Sequence, residues 1–509
     1  MMSDAMMDTV STGWAALSGL PVQTLAVLFA AQDRASSYTA MLDLPGGAIR
    51  FDWSKTHLDD AHVAGFNALA DACGFDARRA ALFAGEKINV TEHRAVEHTA
   101  QRGVGSAAAV DEAGAYHARM RALVGAIHGG VLGEVKHLIH IGIGGSALGP
   151  ALAIDALTRD GAMVDVHVVS NIDGCALEAA FAACDPATTL VAIASKTFTT
   201  TETMTNAASA LAWLTEGGVT DAYGRVIALT AFPDKAVEWG VDETRVLPFS
   251  ENVGGRYSLW SSIGFPIALA VGWDEFAAFL DGAAAMDRHF LEAEGFANLP
   301  LRAAMGDQLY TRLRGCQTRA VFAYDERLRL LPSYLQQLEM ESNGKRVTLE
   351  GEPVSGPTAP ITWGGVGTDG QHAVFQLLHQ GTVLLPVDFI AAIQPGDALD
   401  PSHHRILLSN CFAQGAALMA GKASDDPARA YPGDRPSATI LCDELNAATL
   451  GALIAFHEHR TFANGVFCQI NSFDQFGVEL GKEIAKSIET GGAKFDASTE
   501  ALLTAAGIG

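Results

Sequence analysis

Two stretches of the chain combine glycines, hydroxyls and a cation in patterns that suit phosphate binding. His140–Pro150 reads HIGIGGSALGP, with glycines between an apolar run and a helix-like segment. Glycine lets backbone N–H groups approach an anion, and a helix N-terminus adds partial positive charge. Ser195–Thr203 reads SKTFTTTET and places six hydroxyls and one lysine after another apolar run. Because hydroxyls and first-turn amides can surround a phosphate monoester without a metal, the two stretches favour a phosphosugar pocket.

The glycine stretch also fits a second kind of site. Gly142, Gly144 and Ala147 match the relaxed fingerprint of a dinucleotide-binding turn. The acidic residue expected about 20 positions later is poorly placed, because Asp165 begins the next apolar run and Asp173 lies late. A nicotinamide-dependent dehydrogenase therefore remains an alternative that leaves the hydroxyls of the second stretch without a role.

Four further segments contain residues that could move protons or stabilise charge. In Glu251–Ser258, two glycines precede an arginine, and in Gln336–Lys345 two carboxylates stand two residues apart. Those carboxylates share a face if the segment is extended and diverge if it is helical. Gly364–Ala373 is rich in glycine before a histidine, and Asn471–Lys482 ends in a lysine. Each has a structural alternative: a surface arginine at Arg256, a solvated turn at Asn343-Gly344, a structural His372 and a helix-surface Lys482.

The elements that position these residues alternate between strand and helix, which is typical of parallel sheets covered by helices. The first 100 residues are predicted to be helical, as in Trp14–Gln32 and His57–Phe83. We predict domains at 1–100 (helical, packing on the large domain), 101–272 (small α/β), 273–482 (large α/β) and 483–509 (helical tail). The predicted strands are Val135–Ile143, Val164–Ser170, Thr189–Ala194, Arg225–Thr230, Arg319–Tyr324, Thr382–Phe389 and Ala438–Cys442, and the predicted helices between them include Leu148–Leu157, Ala176–Ala183 and Ile406–Met419.

Composition narrows the class of protein. The 509 residues include 34 Lys+Arg and 58 Asp+Glu, a formal charge of −24, which argues against nucleic-acid binding. Seven scattered cysteines without a CxxC pair indicate reduced thiols, and no His/Cys/carboxylate cluster has the spacing of a zinc site. No basic residue precedes Arg34, and no apolar run is long enough to span a membrane. We expect a soluble, cytoplasmic protein.

Taken together and in this order, the six segments resemble the glucose-6-phosphate isomerase (phosphoglucose isomerase) family. The resemblance runs from His140 to Lys482 and includes GGRYS at Gly254–Ser258, FDQFGVELGK at Phe473–Lys482 and HHRILLSN at His403–Asn410. It implies an α/β fold of two SIS-type doubly wound, mainly parallel sheet domains, with a helical N-terminal segment and a C-terminal helical tail. It also implies a cytoplasmic homodimer that interconverts glucose 6-phosphate and fructose 6-phosphate through a cis-enediol, without metal or cofactor, in glycolysis and gluconeogenesis.

The resemblance assigns a role to each matching residue. Glu341 corresponds to the base that moves a proton between C1 and C2, and Arg256 to the group that stabilises the enediolate. His372, contributed by the neighbouring subunit, and Lys482 correspond to ring-opening residues. Glu202 corresponds to a residue that orients the histidine. The substrate-binding residues implied are Gly145, Ser146, Ser195, Lys196, Thr197, Thr200, Gln337 and Gln475.

The chain departs from the family pattern at a few positions. Phe476 replaces a common tryptophan, and Gly365, Val366 and Asp369 stand where Glu, Pro and Asn are expected before His372. A non-catalytic sugar-phosphate sensor is a further alternative, since such a protein could keep the phosphate loop. A sensor of this kind would not need Glu341, Arg256, His372 and Lys482 together.

Overall fold

The computed structural model describes residues 4–492 and 494–508. Contacts between residues divide the chain into two compact units, Met1–Ser472 and Phe473–Gly509. The strands all lie in the first unit, in a sheet of five and a sheet of six. They are β1 (Thr39–Leu44), β2 (Gly47–Asp52), β3 (His137–Gly142), β4 (Asp165–Val169), β5 (Thr189–Ala194), β6 (Val226–Thr230), β7 (Val246–Pro248), β8 (Thr318–Tyr324), β9 (Ile361–Val366), β10 (Val387–Ala392) and β11 (Ser437–Cys442).

The α-helices described in the first unit are numbered α1 to α18. They are α1 (Asp4–Ser18), α2 (Leu25–Leu28), α3 (Arg34–Ser37), α4 (Asp60–Ala72), α5 (Phe75–Ala84), α6 (Ala107–His128), α7 (Leu148–Leu157), α8 (Gly174–Ala183), α9 (Thr201–Glu216), α10 (Pro233–Trp239), α11 (Phe265–Val271), α12 (Trp273–Glu292), α13 (Leu299–Gln308), α14 (Leu331–Leu335), α15 (Asp369–Ala373), α16 (Phe375–Gln380), α17 (Pro401–Ala420) and α18 (Ala447–Phe467).

The smaller sheet is wholly parallel, with strand order β4-β3-β5-β6-β7. Every residue of β5 is buried, as expected for a central strand with helices on both faces. The four strands predicted here are confirmed, each within two residues of its observed ends. The sequence did not reveal β7, because it has three residues and ends in a proline.

The larger sheet has the order β1-β2-β11-β10-β8-β9. Its four strands from β11 to β9 are parallel, and β1 and β2 form a hairpin that pairs antiparallel with β11. The purely helical N-terminal segment expected from the sequence therefore needs a correction: helices are present, but so is this hairpin. A helix over Trp14–Gln32 is also wrong, since α1 ends at Ser18 and the chain passes Pro21 before α2.

Two strands of the larger sheet differ from the prediction. The strand expected at Thr382–Phe389 is observed at Val387–Ala392, where all six residues are buried. The other, β9, was not predicted because Gly364-Gly365 in its middle reads as a loop. The helix expected at Ile406–Met419 is confirmed within the longer α17.

The 21-residue helix α18 is buried along its whole length. It carries charged residues into the core, where each meets an opposite charge. Glu458 contacts Arg102, which also binds Asp287 at 2.6 Å, and Arg460 binds Asp307 at 2.6 Å. These buried ion pairs fix α18 against α12 and α13.

The second unit, Phe473–Gly509, contains a short 3-10 turn at Phe476–Val478 followed by α19 (Glu479–Thr490) and α20 (Ala497–Ala506). No helix within the described residues has the length and apolar character needed to cross a membrane. The mixed α/β architecture with two mainly parallel sheets is the one expected from the sequence.

Candidate active site

A buried arginine lies at the centre of the candidate site. Arg256 follows Gly254-Gly255 in a 3-10 helix, and only 3% of its surface is exposed. Its Nε donates to the Ser342 hydroxyl at 2.6 Å, and its Nη2 donates to the backbone carbonyl of Ser472 at 2.6 Å. The third nitrogen, Nη1, lies 3.5 Å from Oε2 of Glu341. The guanidinium is thus fixed by neutral acceptors while one edge faces a carboxylate.

Glu341 ends a π-helical turn, Gln336–Glu341, that continues from α14. Its side chain keeps 18% of its surface exposed, so it is held beside Arg256 without being sealed from a substrate. Glu339 is buried on another face, where it contacts Arg319 and accepts a 2.5 Å hydrogen bond from Thr362. The helical alternative is therefore correct, and the two carboxylates diverge: Glu339 points into the core and Glu341 toward Arg256.

The turn at Asn343-Gly344 is not a solvated one. Asn343 is buried, donates to the carbonyl of Thr461 at 2.9 Å and accepts from the Ser472 hydroxyl at 2.7 Å. This pairing ties the residues after Glu341 to α18 and to the same Ser472 whose carbonyl binds Arg256. The backbone around the carboxylate is consequently held on both sides.

The first glycine stretch packs directly against this pair. A Cβ built on Gly145 would lie 2.1 Å from the carbonyl oxygen of Gly255, so only glycine fits there. A Cβ on Gly144, whose φ is 56°, would lie 3.0 Å from Nε2 of Gln337. The structure therefore brings Gly145, Arg256, Gln337 and Glu341 together, with Ser146 in the same turn.

The hydroxyl stretch lies beside the glycine turn, because β3 and β5 are neighbours and Gly142 pairs with Ala194 at their carboxyl ends. Ser195 Oγ and Thr200 Oγ1 are 3.1 Å apart, and Thr199 donates to Thr197 at 2.9 Å. Side chains that contact one another around a helix N-terminus form a cluster of donors that an anion can use. This edge of the sheet is the usual ligand edge of an α/β domain.

Lys196 links the hydroxyl stretch to the segment that leads into Arg256. Its ammonium donates to the carbonyl of Glu251 at 2.5 Å and to that of Val253 at 3.0 Å. Burial, and to a smaller extent the nearby charge of Arg94, lowers the pKa of Lys196 to about 8. An ammonium has three N–H donors, so one of them is left for a phosphate.

His372 is found elsewhere on the same chain. It is exposed on α15 and lines an open surface cleft of about 570 Å³ with residues of α16 and α17. None of the residues recorded in the lining of this cleft belongs to the Arg256–Glu341 group. The helix start is held by Gln371, which accepts from Tyr324 at 2.9 Å and donates to Asn410 at 2.9 Å.

The glycines before His372 have a packing role. A Cβ on Gly364 would lie 1.8 Å from the carbonyl oxygen of Val321, and one on Gly367 would lie 2.4 Å from the ring of Tyr324. They let β9 and the following loop approach β8 closely. The departures at Gly365, Val366 and Asp369 leave this approach intact.

The remaining expected site residues are Glu202, Gln475 and Lys482. Glu202 is half-buried in the first turn of α9. Gln475 and Lys482 belong to the second unit, Gln475 immediately before the 3-10 turn and Lys482 exposed on α19.

Three residues that hold Arg256 were not assigned by the sequence. Ser342 accepts from Arg256 and shares a 2.9 Å hydrogen bond with the Tyr257 hydroxyl, and Ser472 supplies the carbonyl. In the sequence, only their positions point to them, because each lies within or next to a segment that contains a candidate site residue. A backbone carbonyl as ligand has no side-chain signature at all.

The structure does not support a dinucleotide-binding site, because neither candidate acidic residue is suitably placed. Asp165 begins β4 and therefore lies at the amino end of the sheet, away from the glycine turn. Asp173 caps α8 by accepting from the N–H of Cys175 at 3.1 Å. Neither carboxylate is placed to bind a ribose beside Gly142–Ala147.

Comparison with known proteins gives one consistent result. The model of the family described as phosphoglucose isomerase matches residues 52–503. Proteins named glucose-6-phosphate isomerase from Novosphingobium aromaticivorans and Erythrobacter litoralis are 74% and 70% identical to this chain. The first alignment covers 98% of both chains, and the second covers 99% of this chain and 100% of the relative. The crystal structure of a glucose-6-phosphate isomerase from Chlamydia trachomatis superposes with a TM-score of 0.86 at 29% identity, over 100% of this chain and 99% of that one.

Proposed function

Because this chain belongs to the phosphoglucose isomerase family, we propose how its residues divide the work of interconverting glucose 6-phosphate and fructose 6-phosphate. Glu341 is the base that removes the proton from C2 of the open-chain aldose and returns it to C1. The observation that carries this assignment is the 3.5 Å approach of Arg256 to a carboxylate that is still partly exposed. A carboxylate in that position can accept a proton and give it back on one face of a cis-enediol.

Arg256 stabilises the negative charge that develops on the enediolate oxygens. Its hydrogen bonds to Ser342 and to the Ser472 carbonyl fix the guanidinium before substrate arrives. Fixed donors aimed at developing charge need no reorganisation during the reaction, which is why they lower its barrier. Neither of these two acceptors carries a formal charge, and the remaining nitrogen, Nη1, lies 3.5 Å from the Glu341 carboxylate.

The glycine turn and the hydroxyl stretch bind the phosphate group of the sugar. Their position at the carboxyl ends of adjacent strands and the mutual contacts of their hydroxyls support this role. Gln337, next to the glycine turn, and Gln475 contact the sugar hydroxyls. The phosphate-binding set is Gly145, Ser146, Ser195, Lys196, Thr197 and Thr200.

Ring opening requires residues that the group around Arg256 does not supply. We assign it to Lys482 and to His372 of the partner in a cytoplasmic homodimer, with Glu202 orienting the histidine. Two observations support a histidine donated by a second copy: His372 is exposed, and it lines a cleft whose recorded lining has no residue from the Arg256–Glu341 group.

The test is turnover by metal-free protein with Glu341→Gln beside it. Conversion of fructose 6-phosphate, followed with a coupled dehydrogenase, is expected in the parent and reduced by at least about 100-fold in the variant, because a positioned base contributes roughly 10²–10⁴-fold. Glu341 is partly exposed, so the melting temperature of the variant should match the parent.

Glu339→Gln is the matched control, since it removes the same charge two residues away. Glu339 contacts the buried Arg319, so this change should lower the melting temperature, while the folded variant keeps kcat at low temperature. Equal loss of kcat in both variants would contradict the assignment of the base. A parent that binds sugar phosphate without turnover would instead indicate a sensor.

A further inference from the structure

Three residues of metal-binding type meet on the smaller sheet, far apart in sequence. His137 begins β3, His167 lies in β4, and Cys184 directly follows α8. Each offers one ligand atom, and these three atoms all lie within 4.8 Å of one another. The two imidazole rings are 5.8 Å apart between centroids. The sequence showed no such cluster because strand pairing, rather than chain spacing, brings these residues together.

The two histidines have ring nitrogens that the protein does not use. His137 Nδ1 and His167 Nε2 are both buried, and neither has a hydrogen-bond partner among the described residues. A buried polar atom without a partner costs free energy, which a ligand at that atom can recover. All three side chains are only half-buried, so an ion can reach them from solvent.

We propose that His137, His167 and Cys184 bind one Zn²⁺ ion. Two imidazoles and a thiolate are ligands that Zn²⁺ prefers, and tetrahedral coordination would draw the three atoms to about 3.3–3.6 Å from one another. Rotation about the side-chain torsion angles would bring the atoms from within 4.8 Å to these distances. The thiol releases its proton to solvent when the ion binds. The fourth ligand is water or the carboxylate of Asp165, which pairs with His137 across the two strands.

The proposed site is separate from the phosphate-binding edge. His137 is at the amino end of β3, whereas the glycine turn follows Gly142 at its carboxyl end, roughly 16 Å away for a strand of this length. An ion at the amino end joins β3, β4 and the connection from α8 to β5. Its role is therefore to stabilise the smaller sheet rather than to take part in isomerisation.

Cobalt provides a spectroscopic test on the full-length protein after treatment with a chelator. Titration with Co²⁺ should give one equivalent per chain, a thiolate-to-cobalt charge-transfer band in the near ultraviolet and intense visible bands typical of tetrahedral geometry. Zn²⁺ should then displace the cobalt and raise the melting temperature, because a ligand that binds only the folded state stabilises it.

Cys184→Ser should abolish the charge-transfer band and weaken Zn²⁺ binding by at least about 100-fold, and His167→Gln should weaken it similarly. Cys175→Ser is the matched control, because Cys175 is an exposed thiol on α8, the helix that Cys184 follows. Isomerase activity should be unchanged in all three variants. Cobalt bound without a thiolate band, or a band lost only in Cys175→Ser, would overturn the proposal.

Discussion

At the scale of single residues, the site depends on how closely backbones approach one another. The guanidinium of Arg256 is held by a hydroxyl and a carbonyl, but its position also depends on Gly255, against which Gly145 packs. No side chain can be accommodated between these two backbones. The glycine turn therefore helps to set where Arg256 lies relative to Glu341.

Gly145→Ala should consequently impair catalysis while the chain still folds. The added methyl group would overlap the Gly255 carbonyl and displace Arg256, and a shift of about 1 Å in a catalytic group can reduce activity roughly 100-fold. Overpacking should also lower the free energy of unfolding by about 1–3 kcal/mol. Steady-state kinetics and urea denaturation measure the two effects.

Gly125→Ala is the control for this change. Gly125 is exposed on α6, where a Cβ meets no atom within 4 Å. Alanine favours a helix over glycine by about 1 kcal/mol, so this variant should be slightly more stable and fully active. An unchanged kcat/KM in Gly145→Ala would show that the close approach does not position Arg256.

At the scale of elements, two loops at neighbouring strand ends act together through Lys196. Its ammonium contacts two carbonyls of the segment before Arg256, so the hydroxyl stretch and the arginine are mechanically linked. Burial, with a further contribution from Arg94, places its pKa at about 8. Between about pH 8 and the ordinary pKa of a lysine, the Lys196 ammonium keeps its proton in the unfolded chain and loses it in the folded chain. The free energy of unfolding that Lys196 contributes therefore rises with pH in this range.

Substrate binding should weaken, rather than strengthen, as pH rises through the pKa of Lys196. As the proposed phosphate ligand, Lys196 acts in its protonated form, so kcat/KM of the parent should fall as pH rises above about 8. Lys196→Met should raise KM for fructose 6-phosphate by about 10- to 100-fold, the worth of a hydrogen bond to a charged group. In Lys196→Arg the decline above pH 8 should disappear. A parent profile that stays flat, or one unaltered by the arginine, would exclude Lys196 from phosphate binding.

The sequence predicted the strands that consist of continuous buried apolar residues, and it missed the strands that do not. β5 was found at its observed ends because every residue of it is buried, whereas β9 contains two glycines and β1 alternates between exposed and buried positions. The sequence motifs identified Arg256 and Glu341 as candidate site residues, but they did not predict that the two side chains lie side by side. This arrangement depends on the π-helical turn, which directs Glu339 into the core and Glu341 toward the arginine.

At the scale of the whole molecule, the proposed assignment requires two chains for each active site. Mixing Glu341→Gln with His372→Asn protein tests this directly. If the histidine acts in the partner's site, a mixed dimer has one site with both residues intact, so equal mixing restores about a quarter of parental activity. If both residues act within one chain, every site lacks one of them, and the mixture stays as inactive as its components.

The subunits are to be exchanged by mild denaturation and renaturation. Each variant treated alone controls for spontaneous recovery. The parent treated in the same way gives the activity that corresponds to complete refolding.

The hairpin at the amino end of the chain has a consequence for biosynthesis. Asp52 of β2 pairs with Thr439 of β11, so one edge of the hairpin finds its partner only when nearly the whole chain has left the ribosome. At about 5–20 residues per second, that interval lasts roughly 20–80 s. The smaller sheet, formed entirely from residues 137–248, can assemble during this interval. The first strands to emerge are thus the last to join their sheet, and their exposed edge must be kept from other chains until then.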